Sequence, residues 1–320
     1  MSSPSQRCLV LGMDVGGTSS RALITDLTGR VMGRGLAGGG NPVSRGVGPA
    51  IAAIRAAIEE AFTGLSGAPV ERNRLCGNVI GAAGFGAGTA HEALDAMWAE
   101  LGLPGSPVVA GDVEVAFASG TDALDGSVLI GGTGAVAAAI VGGEQGVVAD
   151  GLGWLLGDHG SGFWVGREAV RSALMPGGDD PLAEEVAVRL TGRRDVDRNA
   201  LIAAAYALDP VRLSELAGVV VAAAEEGSRE ALRILESAAD ELVTTLTRVR
   251  GDGDESVIVL GGGLLGTDRL DSHVSERIKA RWPSAPVRHT GSGVGGAAWL
   301  AARALGVDLS DGLHAALTEN

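Results

Sequence analysis

The stretch GMDVGGTSSR, residues 12–21, decides the fold that we expect for this chain. It continues an apolar run and places a carboxylate, Asp14, at the end of a buried strand. Gly16 and Gly17 force a tight turn that lets a ligand come close to the backbone, and the Thr18 hydroxyl adds a donor. Backbone N–H groups in such a turn suit phosphate oxygens. The stretch predicts a phosphate-binding hairpin, with a plain β-hairpin turn as the simpler alternative.

Strands and helices alternate outward from this hairpin. Residues 8–36 predict an antiparallel meander of three strands, and helices and further strands follow. A second arrangement of strand, glycine loop and strand returns in residues 128–141, which predicts two related halves that meet near residues 113–126. Residues 163–250 are mainly helical, and a late strand follows them. The alternation indicates an α/β class.

Three more glycine loops follow apolar strands. Gly131-Gly132-Thr133-Gly134 occupies the same place in the second half as the first hairpin does in the first half. Gly261-Gly262-Gly263 offers a flat backbone surface on which an adenine fits, or a simple strand-to-helix connection. The pattern GxxxxGK[ST] is absent, and Lys279 is the only lysine, so a P-loop enzyme is excluded. Residues 291–298 do not open a βαβ unit, which argues against a dinucleotide site.

Asp112 closes another short apolar strand. A carboxylate in this position can take a proton from a hydroxyl that attacks phosphorus. A helix N-cap is the competing interpretation, and both roles are compatible.

The segment DGLGWLLGDHGSG, residues 150–162, combines glycines, carboxylates, a Trp and a His before an amphipathic helix. Sugars are bound through carboxylates on their hydroxyls and through apolar faces on their C–H patches. Asp158 is therefore a candidate hydroxyl ligand and Trp154 a candidate wall. His159 is more typical of an ordinary loop histidine than of a catalyst.

Composition and charge limit the possible partners. The chain has 320 residues and a formal net charge of −14, which disfavours a nucleic-acid partner. Residues 126–143 carry no charge, but their central glycines favour two short strands over a membrane span. No signal-peptide pattern is found, so we expect a cytoplasmic protein without a membrane partner.

The two cysteines, Cys8 and Cys76, are far apart in the sequence and show no zinc-ligand spacing. Each falls in an apolar strand. We expect both to be reduced thiols that pack in the core.

At these residues the chain resembles the N-acetylglucosamine kinase and glucosamine kinase group of the actin-like sugar-kinase ATPase superfamily. The hairpin at 12–21 looks like its first phosphate motif, residues 131–134 look like its second, and residues 261–263 resemble its adenosine motif. The pattern Gly-Trp followed by Gly-Asp-x-Gly-Ser, within residues 153–161, is similar to its sugar-binding segment. The motifs occur in the family's order and cover most of the chain.

The resemblance implies an architecture of two actin-like, ribonuclease-H-like α/β domains with a cleft between them, each a mixed sheet flanked by helices. The first would comprise residues 1–116 together with about 300–320, and carry the first phosphate motif and the catalytic base. The second would comprise residues 117–299 and bind nucleotide and sugar.

The resemblance also implies residue roles. Asp112 would be the catalytic base, and Asp14 would help to hold Mg²⁺ through water. The nucleotide is expected at Gly16, Gly17, Thr18, Gly132, Thr133, Gly134, Gly261, Gly262 and Gly263. The sugar is expected at Asn41, Asp112, Gly153, Trp154 and Asp158. His159 stands where some relatives have Glu.

The implied reaction is transfer from MgATP to the C6 hydroxyl of an amino sugar, giving the 6-phosphate and ADP. The acidic composition, with only four Phe and one Tyr, favours cationic glucosamine over N-acetylglucosamine, which needs an apolar acetyl pocket. A different class, the activator ATPases of 2-hydroxyacyl-CoA dehydratases, shares these loops but needs cysteines at a helix end for its iron–sulfur cluster. A non-catalytic sugar sensor and a homodimeric assembly also stay open.

Overall fold

The structure, a computed structural model, describes residues 8–82, 85, 88–175, 180–307, 309 and 312–319. The chain divides into two compact units, Met1–Ala123 with Thr290–Asn320, and Leu124–His289. The sequence predicts these divisions near residue 116 and near residue 300, whereas the boundaries between the two units lie after Ala123 and after His289. The N–H of Gly291 donates to the carbonyl of Ser119 at 3.2 Å. This bond joins the two chain segments that form the first unit.

Strands and helices are numbered in chain order over the described residues. The strands are β1 Leu9–Val15, β2 Ser19–Asp26, β3 Val31–Gly38, β4 Leu75–Ala82, β5 Val109–Ala110, β6 Gly126–Gly131, β7 Ala135–Val141, β8 Glu144–Asp150, β9 Val257–Gly261 and β10 Val287–His289. The helices are α1 Pro42–Arg45, α2 Val47–Thr63, α3 Thr89–Glu100, α4 Asp112–Gly120, α5 Gly162–Ala173, α6 Pro181–Thr191, α7 Arg198–Tyr206, α8 Ala217–Glu225, α9 Arg229–Thr247, α10 Asp268–Arg281, α11 Gly293–Arg303 and α12 Leu313–Thr318. Short 3-10 segments span Leu65–Gly67, Arg72–Arg74 and Pro210–Leu216.

The first unit is a five-stranded sheet of order β3-β2-β1-β4-β5. Strands β1, β2 and β3 form the expected antiparallel meander, and β4 and β5 continue the sheet in parallel on the other side of β1. Successive side chains of β1 point to opposite faces. Leu11 therefore packs in the cluster that includes Ile54 of α2 and Leu94 of α3, whereas Val10 packs in the cluster that includes Val294 of α11.

Helix α11 lies very close to β1, and Gly12 permits this approach. A Cβ at Gly12 would stand 2.3 Å from the backbone nitrogen of Ala298 and 2.3 Å from the carbonyl oxygen of Val294. Any side chain there would displace the helix. This glycine of the opening motif therefore has a packing role, in addition to the ligand-facing role of the glycines after it.

The second unit repeats the topology of the first. Its sheet has the order β10-β9-β6-β7-β8, in which β6, β7 and β8 form an antiparallel meander and β9 and β10 extend it in parallel. Its core joins the sheet, through Leu129 and Leu260, to Val165 of α5 and to Leu235 and Leu242 of α9. The predicted α/β class, with mixed sheets flanked by helices, is confirmed.

The uncharged residues 126–143 become the neighbouring strands β6 and β7, as the central glycines indicated. Among the residues that the structure describes, no helix has the length and apolar character needed to cross a membrane.

The expectation for the cysteines is wrong. Cys8 and Cys76 form a disulfide with a Cα–Cα distance of 5.6 Å, and Cys76 is exposed rather than packed in the core. The parallel pairing of β1 with β4 places Leu9 beside Leu75. Cys8 precedes Leu9 and Cys76 follows Leu75, so the sheet brings the two cysteines together although 68 positions separate them in the sequence.

Candidate functional site

The first glycine loop is an exposed hairpin that is anchored from one side. The carbonyl of Gly16 accepts the N–H of Gly40 at 3.0 Å, and the carbonyl of Gly17 accepts the Arg45 Nε at 3.1 Å. Neither glycine has a positive φ, and a Cβ at either position would meet its nearest neighbour at an ordinary 3.6 Å. Local packing therefore does not require glycine here. The bare backbone leaves space for a ligand over Gly17 and Thr18, which are exposed.

Two carboxylates lie along one edge of the first sheet. Asp14 on β1 is level with Gly81 on β4, and Gly81 is level with Ala110 on β5. Asp112 follows β5 after one more residue. Because neighbouring strands are about 4.8 Å apart, the backbones at Asp14 and Ala110, which lies two residues before Asp112, are separated by roughly 10 Å. The parallel pairing thus brings Asp14, the expected metal-binding carboxylate, and Asp112, the expected base, to the carboxyl ends of two strands of one sheet.

Asp112 is not the N-cap of its helix. Gly111 occupies the N-cap position, and its N–H donates to Glu114 Oε2 at 2.7 Å. Asp112 is the first helical residue; it is exposed, and its Oδ1 accepts the N–H of Val113 at 2.9 Å. The helix start is thus completed by Glu114, and the Asp112 carboxylate faces solvent.

Asp14 sits in a partly desolvated place. Burial raises its pKa above the usual value, and the guanidinium of Arg21, its partner across the β1–β2 pair, opposes that rise. A Cβ at Gly293 would stand 2.8 Å from Asp14 Oδ2, so the carboxylate lies against the first residue of α11. The positive end of a helix favours a negative charge there.

A Mg²⁺ ion fits this donor set only together with other ligands. Among the residues that the structure describes, no group of three or more His, Cys, Asp or Glu side chains is arranged to hold a metal. Mg²⁺ bound to nucleotides commonly uses one or two carboxylates, water and the phosphates themselves. A single carboxylate, that of Asp14, is therefore sufficient as the protein's contribution to such a site.

Asn41 lies beside the first hairpin but is already engaged. It is the N-cap of α1, and its Oδ1 accepts the N–H groups of Val43 at 2.9 Å and Ser44 at 3.3 Å. A sugar contact from Asn41 would therefore use its amide NH₂. The adjacent Gly40 holds the hairpin, as described above.

The second and third glycine loops meet in the second unit. The carbonyl of Gly131 accepts the N–H groups of Leu264 and Leu265, each at 3.1 Å. Gly262 has a φ of +97°, and a Cβ there would come within 2.5 Å of the Gly131 carbonyl oxygen. The two loops are thus in contact over their backbones.

A cavity of about 320 Å³ opens beside these loops. It is lined by Gly132, Thr133, Gly162, Ser214, Ala217, Gly218, Val221, Gly263, Leu264 and Thr267. Three of the nucleotide residues predicted in these two loops, Gly134, Gly261 and Gly262, do not line it. Gly261 is the buried last residue of β9, and a Cβ at Gly134 would meet the Asp158 carboxylate at 2.9 Å.

Sequence reasoning missed the wall of this cavity formed by residues 214–221. These residues belong to the 3-10 segment and helix α8 within the long helical region. Their small side chains show no motif, and only tertiary packing identifies them. A Cβ added at Gly218 would have nothing within 4 Å, which shows that this side of α8 faces open space.

The loop after β8 folds back onto Asp150, the last residue of that strand. The Asp150 side chain is 4% exposed and accepts the N–H groups of Asp158 at 2.6 Å and His159 at 3.0 Å. Asp158 is buried, and its Oδ1 accepts the N–H of Ala135 at 3.2 Å. Burial raises the pKa of Asp158, and the nearby Asp150 charge adds to that rise. Asp158 therefore links this loop to the second glycine loop.

The other predicted sugar residues of this loop are more exposed. Gly153 has a φ of +80° and anchors the turn by accepting the N–H of Gly157 at 2.8 Å. The Trp154 ring is 38% exposed and packs against Phe163 with ring centroids 5.6 Å apart. His159 lies at the surface, with its Nδ1 3.5 Å from Asp150 Oδ2.

The sequence profile of the BadF/BadG/BcrA/BcrD ATPase family matches residues 11–301 of this chain. The N-acetylmuramic acid/N-acetylglucosamine kinase of Clostridium acetobutylicum is 28% identical over 165 residues, which are 52% of this chain and 53% of that enzyme. The match therefore spans about half the length of this curated relative.

Solved structures show the same fold. A candidate N-acetylglucosamine kinase of Chromobacterium violaceum superimposes with a TM-score of 0.69 at 22% identity, over 92% of this chain and 98% of that one. A ROK family glucokinase of Streptomyces griseus, solved with glucose and AMPPNP, gives 0.56 at 19% identity, over 92% and 99%. A ROK family transcriptional regulator gives 0.60 at 16% identity, over 99% and 82%. The fold alone thus does not separate catalysts from regulators.

Proposed function

Because the chain belongs to the BadF/BadG/BcrA/BcrD ATPase family, we propose that it is an ATP-dependent kinase that phosphorylates the C6 hydroxyl of an amino sugar. The products are the sugar 6-phosphate and ADP. The curated relative that matches half of the chain is a kinase of amino sugars, which supports this substrate class.

One observation carries the proposal. The register of β1, β4 and β5 aligns the exposed glycine hairpin, Asp14 and Asp112 along one sheet edge. This edge supplies backbone N–H groups for phosphate, a partly desolvated carboxylate for a metal, and an exposed carboxylate for a proton. These are the groups that phosphoryl transfer needs from a protein.

In the proposed step the C6 oxygen attacks the γ-phosphorus, and the bond from that phosphorus to the bridging oxygen of ADP breaks. The Asp112 carboxylate accepts the proton of the attacking hydroxyl. In the first unit, the backbone at Gly16–Thr18 binds phosphate oxygens. In the second unit, Gly132 and Thr133 belong to the lining of the cavity that receives the nucleoside. Mg²⁺, which Asp14 would hold through water, would offset the phosphate charge when bound.

The preferred substrate of this proposal is N-acetylglucosamine, with glucosamine as the second candidate. The relative's substrates favour the acetylated sugar. The loop that carries Asp158 also presents exposed apolar side chains at Leu152, Trp154 and Leu155, which suit an acetyl methyl group. The acidic composition still favours the cationic sugar.

The test is an ADP-release assay with a panel of N-acetylglucosamine, glucosamine, N-acetylmuramic acid and glucose, each with MgATP. Phosphorus NMR of the product identifies the phosphorylated position. We expect turnover with the first two sugars and product at C6. Release of ADP that no sugar stimulates would contradict the proposal.

The same samples separate the two other classes. Sugar binding by calorimetry without turnover would indicate a sensor. Iron absorbance in the purified protein would indicate an activator ATPase, although the chain's two cysteines are bonded to each other and neither lies at a helix end.

A further inference from the structure

The Asp150 carboxylate is the buried centre of the loop that carries Asp158. Asp150 Oδ1 accepts the N–H of Asp158 at 2.6 Å, and Asp150 Oδ2 accepts the N–H of His159 at 3.0 Å. Both oxygens are therefore used to bind the backbone eight and nine positions later. A Cβ at Gly157 would stand 2.1 Å from Asp150 Oδ1, so glycine is required for this closure.

Asp150 holds the backbone of this loop in an unfavourable conformation. Asp150 and Asp158 have φ values of +63° and +57°, a conformation that non-glycine residues seldom adopt and that persists only when the surroundings enforce it. Burial alone would raise the pKa of Asp150. The hydrogen bonds from the backbone of Asp158, His159 and Leu152 and from the His159 side chain together outweigh burial, so the pKa lies below its usual value. The ionised carboxylate is the form that the loop stabilises.

We propose that Asp150 is a positioning residue for sugar binding: it holds the left-handed turn that presents Asp158 to the acceptor sugar. This inference rests on the proposed function and on the sequence-based assignment of Asp158 to the sugar. Asp150 itself touches neither substrate. Its contribution passes through the backbone of Asp158 and His159.

The nucleotide side of the second unit has separate support. The N–H of Gly162 donates to the carbonyl of Gly132 at 2.7 Å, and the N–H of Phe163 donates to the carbonyl of Thr133 at 3.1 Å. These bonds, and those from Leu264 described above, hold the glycine loops without Asp150. Loss of the Asp150 carboxylate should therefore affect the sugar more than the nucleotide.

The test is Asp150→Asn. Asparagine keeps the shape and tolerates a positive φ, but its amide nitrogen cannot accept a hydrogen bond, so Asp158 or His159 loses its acceptor. We expect the sugar KM to rise by about 10- to 100-fold. We expect the affinity for ADP, measured by calorimetry, to change by less than about twofold.

The matched control is Asp125→Asn. Asp125 also accepts one backbone N–H, that of Gly142 at 2.9 Å, in the same unit, but it lies outside this loop. Its sugar KM should equal that of the wild type. Equal losses of sugar and ADP affinity in Asp150→Asn would indicate general destabilisation and contradict the positioning role.

Amide hydrogen exchange separates failure of this inference from failure of the proposed function. The amides of Asp158 and His159 should exchange faster in Asp150→Asn, whatever the reaction. Unchanged exchange together with an unchanged sugar KM would overturn the inference. Faster exchange in a protein whose wild type phosphorylates no sugar would contradict the proposed function and, with it, the sugar-positioning role, while leaving the loop-holding contact in place.

Discussion

Asp14 and Asp112 share a sheet edge but differ in solvation. Asp14 is half-buried beside the start of α11, whereas Asp112 is exposed at the first position of α4. Desolvation suits a carboxylate that is to face a cation, because the ion restores the lost solvation. Exposure suits a carboxylate that must receive a substrate hydroxyl.

Replacing Asp112 by Asn removes the proposed proton acceptor while keeping its size. We expect kcat to fall by about 10²- to 10⁴-fold, the usual range for a general base. The circular dichroism spectrum and the nucleotide affinity should be unchanged, since Asp112 is exposed. Asp95→Asn, an exposed position on helix α3 of the same unit, is the control and should keep wild-type turnover. A fully active Asp112→Asn would remove this residue from the mechanism.

Replacing Arg21 by Ala removes the positive charge that opposes the burial effect on Asp14. The pKa of Asp14 should rise further, so a larger fraction is protonated at any given acidic pH. The midpoint of the Asp14 carboxyl titration by ¹³C NMR should move upward, and the acid limb of kcat/KM should move the same way. Arg30→Ala, in the turn between β2 and β3, should move neither.

The raised pKa of Asp14 also sets the sign of its effect on stability. A carboxyl whose pKa is higher in the folded state favours folding most when protonated. Its contribution is therefore present below the usual value of 3.8 and is lost as the pH rises through the folded-state pKa. Asp14→Asn should accordingly be more stable than the wild type at neutral pH in the absence of Mg²⁺, as urea unfolding would show.

At the scale of elements, the contact between β1 and α11 determines the shape of the first unit's core. Gly12→Ala would place a methyl group against the backbone of Ala298 and Val294. We expect a loss of about 1–3 kcal/mol in the free energy of unfolding, as for other overpacked cores.

The control for that substitution is Gly48→Ala in the first turn of α2. An added Cβ there would have nothing within 4 Å, and alanine is the better helix former. We expect a change between zero and a gain of about 1 kcal/mol. Urea unfolding of both variants checks the pair, and equal midpoints would contradict the close approach of α11.

At the scale of the whole chain, the Cys8–Cys76 bond closes a separation of 68 positions. Reduction with dithiothreitol should lower the free energy of unfolding by about 2–4 kcal/mol, because the unfolded chain regains freedom. Cys76→Ser should already have the lower stability and should not respond to the reductant. Two reactive thiols in the native, unreduced protein would contradict the bond.

Some of this architecture could be predicted because it is local. The hairpin at Gly16-Gly17, the return of the layout at Gly131–Gly134 and the strand before Gly261 each depend on residues that are neighbours in the chain. The N-cap interpretation of Asp112 failed because Gly111 and Glu114 together complete the helix start, a competition that a single favoured residue type does not reveal.

By itself, the sequence determined the strands, the glycine turns, the α/β class and the family to which the motifs belong, since periodicity and turn chemistry act over a few residues. Only the tertiary structure decided the Cys8–Cys76 bond, the cavity wall at 214–221 and the closure of the 150–159 loop by Asp150. Each of these depends on residues that strand register or helix packing brings together. Their closeness in space cannot be read from their spacing along the chain.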